Sequence, residues 1–263
     1  MSDERDRKLV ERYDAHAVTY RELWAPTLRL ASLKLFGPLA GQRVRRVLDI
    51  GTGVGALWSD LRAIFPGAWL LGLDRSPGML TLAPKPLARV VADARALPFA
   101  EGTIDLALLV FMLFHLDDPS EGIRESRRVV RPGGTIGTVT WGSDLSSPAT
   151  RIWTECLDEL GAAPSDPTAQ ARHDQLDTPD KMAALCRGGG FDRVETWVAD
   201  LVTFIDLEHL VRLRTGMGSD KVRFDSLDDE RRLECVASAR RRLRMLAPAD
   251  FEARATIVYA IGQ

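Results

Sequence analysis

Val47 to Gly55 reads V-L-D-I-G-T-G-V-G, an apolar run holding one aspartate and then glycines at alternate positions. Such a run predicts a buried strand, and Gly-x-Gly-x-Gly directly after it predicts a turn that lets something approach the backbone. Ala56 to Ile64 continues as a helix, so the unit is strand, Gly-rich turn, helix. That layout puts a small polar ligand beside the free N–H groups of a helix start.

The same alternation extends outward. Arg46–Ile50, Ala68–Leu73, Ala88–Ala92, Ile104–Val110 and Thr135–Thr140 read as strands, separated by helical or turn-rich stretches. Ser76-Pro77 is a helix start with serine as N-cap, and Pro84 and Pro86 limit that helix to about two turns. Asp118-Pro119-Ser120-Glu121 starts another helix, which Arg131-Pro132-Gly133-Gly134 stops. Upstream, residues 1 to about 23 and Thr27–Leu39 read as two helices separated near Pro26. Downstream of Trp141 come a helix over Ser147–Leu160, a polar loop to about Thr178, and a helix from Thr178 to Gly188-Gly189-Gly190. Strand Val194–Phe204, helices over 206–215 and 226–246, and a closing strand Arg254–Ile261 complete the chain. The expected fold is α/β, a Rossmann-like, mostly parallel seven-stranded sheet with helices on both faces.

At 263 residues the chain is long enough for one sizeable core, and 45% hydrophobic with 27% charged residues is ordinary for a globular protein. A net charge of -2 gives no reason to expect nucleic acid. The longest apolar run, Leu106–Phe114, falls short of the roughly 20 residues of a membrane-spanning helix. The charged start M-S-D-E-R-D-R-K lacks a signal-peptide core, and Cys156, Cys186 and Cys235 are too few and too scattered for a disulfide framework. A cytoplasmic location is expected, with a small-molecule partner, no nucleic acid and no membrane; a homodimer stays open.

Gly51, Gly53 and Ala56 also satisfy the nicotinamide-type G-x-G-x-x-G/A pattern, so the glycines alone do not choose a cofactor. Asp49 leans the choice. A buried carboxylate is costly unless paired. A pyrophosphate beside it would add a second anion, whereas a cationic sulfonium would make it useful, which favours S-adenosyl-L-methionine. Asp74, closing the second strand, suits two ribose hydroxyls with either cofactor. Asp93, closing the third, suits the exocyclic amine of adenine.

Five ordered motifs then carry a resemblance: V-L-D-I-G-T-G-V-G, G-L-D-R-S-P-G-M-L, A-D-A-R-A-L-P-F, F-H-L-D-D-P and R-R-V-V-R-P-G-G-T. Together they resemble class I S-adenosylmethionine-dependent methyltransferases, in particular the group of ubiquinone- and menaquinone-biosynthesis-like C-methyltransferases. The resemblance implies a sheet whose final hairpin makes one strand antiparallel. It implies that Asp49 and the turn Gly51, Thr52, Gly53, Gly55 meet the methionine end, Asp74 with Arg75 the ribose, and Asp93 with Ala94 the adenine. The stretch Y-D-A-H-A-V-T-Y-R-E-L-W looks like the family's N-terminal capping helix, with Tyr20 for the cofactor carboxylate. Where many relatives carry Ser or Asn after the fourth strand, this chain has Val110-Phe111-Met112, so Phe111 is expected to form an apolar wall beside the reactive methyl.

His115 is the catalytic candidate, a general base at the cofactor end of the fourth strand. The competing reading bonds it to Asp117, Asp118 or a loop backbone. His16 is a second candidate, while His173 and His209 lack a partner pattern. Asp166, Asp174, Asp177 and His173 have no metal-ligand spacing, and no metal is expected. Leu233, Val236, Leu243 and Leu246 predict an apolar stripe, leaving Arg240, Arg241, Arg242 and Arg244 on a solvated helix face. The expectation is one domain over 1–263, with N-terminal cap helices in 1–41, a cofactor-binding core in 45–141 and cap insertions at 142–178 and 206–247. It would methylate an O, N or C atom of a small organic molecule. An NAD(P)-dependent oxidoreductase shares the Gly turn and Asp74, and an inactive cofactor-binding scaffold is the third reading.

Overall fold

The computed structural model describes residues 2–263, so Met1 of the expected first helix lies outside them. Helix α1 (Ser2–Thr19) runs through one π-helical turn, Tyr20–Trp24, straight into α2 (Ala25–Leu39). The break expected at Pro26 is absent because this proline occupies the first turn of α2, where its missing N–H breaks no helical bond. Next come β1 (Arg46–Ile50), α3 (Trp58–Ile64), β2 (Trp69–Asp74), α4 (Pro77–Thr81) and β3 (Ala88–Val91). Then follow β4 (Ile104–Val110), α5 (Pro119–Val129) and β5 (Val130–Trp141). Ser76 caps α4 by accepting from the Met79 N–H at 3.1 Å, and Asp118 caps α5 through the Ser120 N–H at 2.9 Å.

The remaining elements are α6 (Pro148–Glu159), α7 (Pro167–His173), α8 (Pro179–Gly188), β6 (Val194–Phe204), α9 (Leu207–Gly216), α10 (Gly218–Asp225), α11 (Asp229–Leu243) and β7 (Glu252–Gly262). Helix α7 stands where a polar loop was expected. Its start was legible, with Asp166 as N-cap and Pro167 at the first position. The stripe expected on α11 is corrected at one residue: Leu243 is buried, Val236 and Leu246 pack against the same core, and Leu233 alone points away. Leu233 is 76% exposed, while Cys235, Ala239 and Leu243 are buried against the cap. Two arginines of the expected solvated face are tied down, Arg240 to Glu208 at 2.7 Å and Arg242 to Glu155 and Glu159 of α6.

The seven strands form one sheet in the order β3-β2-β1-β4-β5-β7-β6. Strands β1 to β5 pair in parallel, and β7 runs antiparallel to both β5 and β6. The strand order reverses between β1 and β4, which opens a crevice at their carboxyl ends. Successive residues of β4 face opposite layers: Leu106 and Leu108 pack with Leu35, Leu39 and Trp153, and Ala107 and Leu109 with Ile123, Met182 and Val258. Leu35 and Leu39 are fully buried, and each contributes about 1.5–3 kcal/mol by leaving water. Tyr259 of β7 fastens α2 to the sheet by donating to the Ala31 carbonyl at 2.6 Å.

Candidate functional site

Gly51, Gly53 and Gly55 all have positive φ, at 74°, 55° and 70°, a region that side chains rarely enter. Close packing constrains them further. A Cβ on Gly51 would lie 2.7 Å from the Met112 side chain after β4, and one on Gly55 2.9 Å from Pro84. Gly55 therefore serves packing of the turn against the 83–87 loop. Asp49 is buried beneath the turn, and the Thr52 hydroxyl donates to it at 2.7 Å. Burial pushes its carboxyl up to about 6, against the Thr52 hydrogen bond and with the Asp74 charge.

Asp74 closes β2. One carboxylate oxygen accepts from the Gly53 N–H at 2.8 Å and the other from the Ser76 N–H at 2.9 Å, so each keeps lone pairs for a ligand. Burial is the main reason its pKa is raised. Asp93 is placed differently. Arg95 grips it through Nε and Nη2, Arg75 approaches at 3.7 Å, and both arginines also reach Asp6 of α1, at 3.0 Å from Arg75 and 2.8 Å from Arg95. Burial opposes ionisation of Asp6 and Asp93, but the guanidinium partners outweigh it and hold both carboxyls low.

These latches lay α1 across the crevice. Asp14 adds another, its Oδ1 accepting from the Ser76 hydroxyl at 2.5 Å and the Gly78 N–H at 2.8 Å. Beneath the helix lies a cavity of about 100 Å³ at the β1/β4 switch point. Of the residues expected from sequence, Tyr20, Gly51, Gly53, Asp74, Arg75, Ala94, Phe111 and His115 line it, and Asp49, Thr52, Gly55 and Asp93 do not. Tyr13, Leu9 and Val10 of α1 line it too. The signal for them was their helical spacing with Tyr20.

His115 ends a 3-10 turn, Leu113–His115. Its expected acidic partners are engaged elsewhere: Asp117 pairs with Arg5 at 2.7 Å, and Asp118 caps α5. The ring instead meets the Tyr13 hydroxyl at 3.0 Å, and the His115 carbonyl accepts from Arg5 at 2.8 Å. Burial, followed by the charges of Arg12, His173, Arg172 and Arg5, lowers the imidazole to about 3. Burial pushes Tyr13 up to about 12, so the phenol donates and the neutral ring accepts. His16 bonds the Arg12 carbonyl of its own helix and stays out of the cavity.

Phe111, just past β4, is the one non-glycine residue with positive φ among the described residues, at 52°. An aromatic residue held there is strained, and such strain clusters at functional sites. Its N–H donates to Val139 at 2.8 Å, and its ring lies 4.8 Å from Trp141, which stacks on Trp24 at 5.9 Å. Among the described residues no group of three or more His, Cys, Asp or Glu side chains is arranged to hold a metal.

Residues 48–137 match the family model described as a methyltransferase domain. Over 256 residues the chain is 26% identical to a malonyl-[acyl-carrier protein] O-methyltransferase of Dechloromonas aromatica (strain RCB), spanning 96% of this chain and 92% of that protein. Residues 48–137 are thus similar to a methyltransferase domain, and the chain as a whole is similar to that O-methyltransferase. A demethylmenaquinone methyltransferase of Mycolicibacterium vanbaalenii is 34% identical over 113 residues; the match spans 43% of this chain and about half, 49%, of that protein. A putative type II methyltransferase from Anaeromyxobacter dehalogenans shares the fold with a TM-score of 0.58 at 17% identity, over 89% of this chain and 94% of that chain. So does the Haemonchus contortus phosphoethanolamine N-methyltransferase 2 in complex with S-adenosyl-L-methionine, with a TM-score of 0.54 at 18% identity, over 95% of this chain and 57% of that chain.

The donor set suits this cofactor. A carboxylate with free lone pairs, Asp74, faces the cavity, and a second, Asp49, is buried beneath the Gly51–Gly55 turn. The cavity is small beside the roughly 300–1,000 Å³ of ligand pockets.

Proposed function

We propose that this chain moves the methyl group of S-adenosylmethionine to an O, N or C atom of a small organic acceptor. The observation that carries the reading is Asp74, whose carboxylate lines the switch-point cavity with lone pairs to spare for two ribose hydroxyls. In this reading the Gly51–Gly55 backbone and Asp49 hold the methionine end, Tyr20 its carboxylate, Arg75 flanks the ribose and Ala94 packs the adenine. Asp93 acts at one remove, by holding Arg75 and Arg95 in place. When bound, the cofactor supplies an electrophilic methyl on a sulfonium. The chain supplies the rest. Phe111 and Trp141 make an apolar, water-excluding wall, and the cavity holds the acceptor atom in line at about 3–3.5 Å. His115, neutral, takes at Nε2 the proton of acceptors that must lose one, once the Tyr13 hydroxyl turns away from that nitrogen.

The named relatives act on a malonyl-[acyl-carrier protein] and on demethylmenaquinone, so carboxyl O-methylation and quinone C-methylation head the acceptor panel. The reading takes 1–263 as one domain, with 1–41, 142–178 and 206–247 as the cap around the acceptor. A reducing, cytoplasmic setting suits three buried, unpaired cysteines. No helix among the described residues is long and apolar enough to cross a membrane. Isothermal titration with S-adenosylhomocysteine and with NADPH tests the proposal. Binding of the first alone is expected, and binding of NADPH alone would overturn it.

A further inference from the structure

Strand β6 is an outer strand of the sheet, paired with β7 in unbroken antiparallel register. In such a pair, residues that exchange backbone bonds alternate with residues that do not. Arg254 and Thr256 of β7 spend their backbone groups on the other side, on Ser146 and on Gly142 and Ser143. Their neighbours in β6, Val202 and Asp200, therefore turn N–H and C=O outward, and by the same alternation so do Val198 and Phe204. Among the described residues only Lys34 of α2 reaches this row, donating to the Asp200 carbonyl at 3.2 Å.

Exposed edges are usually blunted by lysine, proline or a bulge. The stretch V-E-T-W-V-A-D-L-V-T-F has none of these, and its only charges are Glu195 and Asp200. The outward row is also apolar. Val198, Val202 and Phe204 share one face and are 50%, 42% and 60% exposed. On the other side of the edge, Leu30 lies one helical turn from Lys34 and is 47% exposed.

We propose that two copies of this chain join their sheets, β6 pairing antiparallel with β6 of the second copy about a two-fold axis at Leu201. A strand paired with its own copy about such an axis makes a closed, self-complementary interface. This register sets Val198 against Phe204 of the second copy and Val202 against Asp200. It also matches charge. Arg254, Val202 and Asp200 of the second copy then fall in one cross-strand row, the two charged residues separated by two strand spacings of about 4.8 Å each. That span suits an arginine side chain, and the Arg254 guanidinium already lies on this face, beside Glu252. An axis at Asp200 would instead set two aspartates face to face. A lone peptide strand would cover the edge and leave Leu30 bare, whereas a second copy brings its own α2 to that side.

Sedimentation velocity of the full chain at micromolar concentration tests this on wild type, Val202→Lys, Asp200→Arg, Arg254→Asp and the double variant Asp200→Arg/Arg254→Asp. Wild type is expected to sediment as a dimer. Val202→Lys and each single charge reversal should raise the dimer dissociation constant about tenfold, and the double reversal should recover most of the loss. Far-UV circular dichroism should stay as in wild type, because all three positions lie at the surface. A monomeric wild type overturns the proposal and leaves the edge to a partner of another kind. So does a dimer that neither Val202→Lys nor the charge reversals weaken. Weakening without recovery in the double variant overturns the register about Leu201.

Discussion

At Asp49, burial holds the carboxyl near 6 where an unfolded chain has it near 3.8. Below pH 3.8 both states are protonated and the site is neutral for stability; as pH rises through 6 the unfolded chain releases its proton more easily, and stability is lost. Asp49→Asn is therefore expected to stabilise the cofactor-free protein above pH 6, by up to about 3 kcal/mol, with the gap closing toward pH 4. The same change should weaken S-adenosylhomocysteine binding. Urea melts across that range check the first half, and a variant no more stable at neutral pH would remove the buried-charge account. His115 has the opposite sign. Its folded pKa near 3 lies below the unfolded 6.5, so its contribution is intact above 6.5 and declines as pH falls toward 3. The kcat/KM of the enzyme should show no histidine limb between about pH 5 and 8. His115→Asn should abolish turnover and spare cofactor binding; unchanged turnover would end its role as base. Asp74's place on the cavity wall was legible because it is defined by its distance from one strand end; Asp49, read in the same way, lies buried beneath the turn and off that wall. Asp93 was only half legible, since its other partners depend on Asp6, on a helix far away in sequence.

Among the elements, α1 fits most closely at Gly78, where a Cβ would sit 2.8 Å from Asp14 Oδ1 and 2.9 Å from its Cα. That contact involves backbone and cannot swing aside. Gly78→Ala should push α1 off the crevice and speed S-adenosylhomocysteine release, read by stopped-flow; an unaltered release rate would mean that α1 does not guard the ligand. The strands and their helices were readable here because local signals coincide: alternating burial, Ser76 and Asp118 as caps, prolines at first positions. Where local and distant signals disagreed, the distant ones won. Leu233 has the right spacing for a stripe, yet α6 and α9 approach α11 on the side of Cys235, Ala239 and Leu243. The bond of Tyr13 to His115 likewise spans most of the core, and nothing near either residue announces it.

On the scale of the whole molecule, the sheet brings its crevice to β1 and β4 whatever the cap does, so the donor half of the site followed from the strand–helix rhythm. The packing of the helices over 148–243 depends on long-range pairs such as Arg223 with Asp158 and Arg242 with α6, which no local pattern marks. Trp153, fully buried between sheet and cap, joins the two halves. Trp153→Ala should cost about 3–5 kcal/mol in denaturant unfolding. A loss below that range would mean the cap is not part of the cooperative unit. Saturating cofactor product should offset some of it, about 2.7 kcal/mol at a hundredfold excess over Kd. The π turn at Tyr20–Trp24 ties cap to body in a further way. Every residue in an α-helix turns the chain by about 100° and advances it 1.5 Å. Removing one residue from this turn would leave α2 seated and rotate α1 by roughly that angle, carrying Asp6, Tyr13 and Asp14 off their partners at once. The angular phase of the lid is thus stored in the length of a single turn, and three separate latches depend on it.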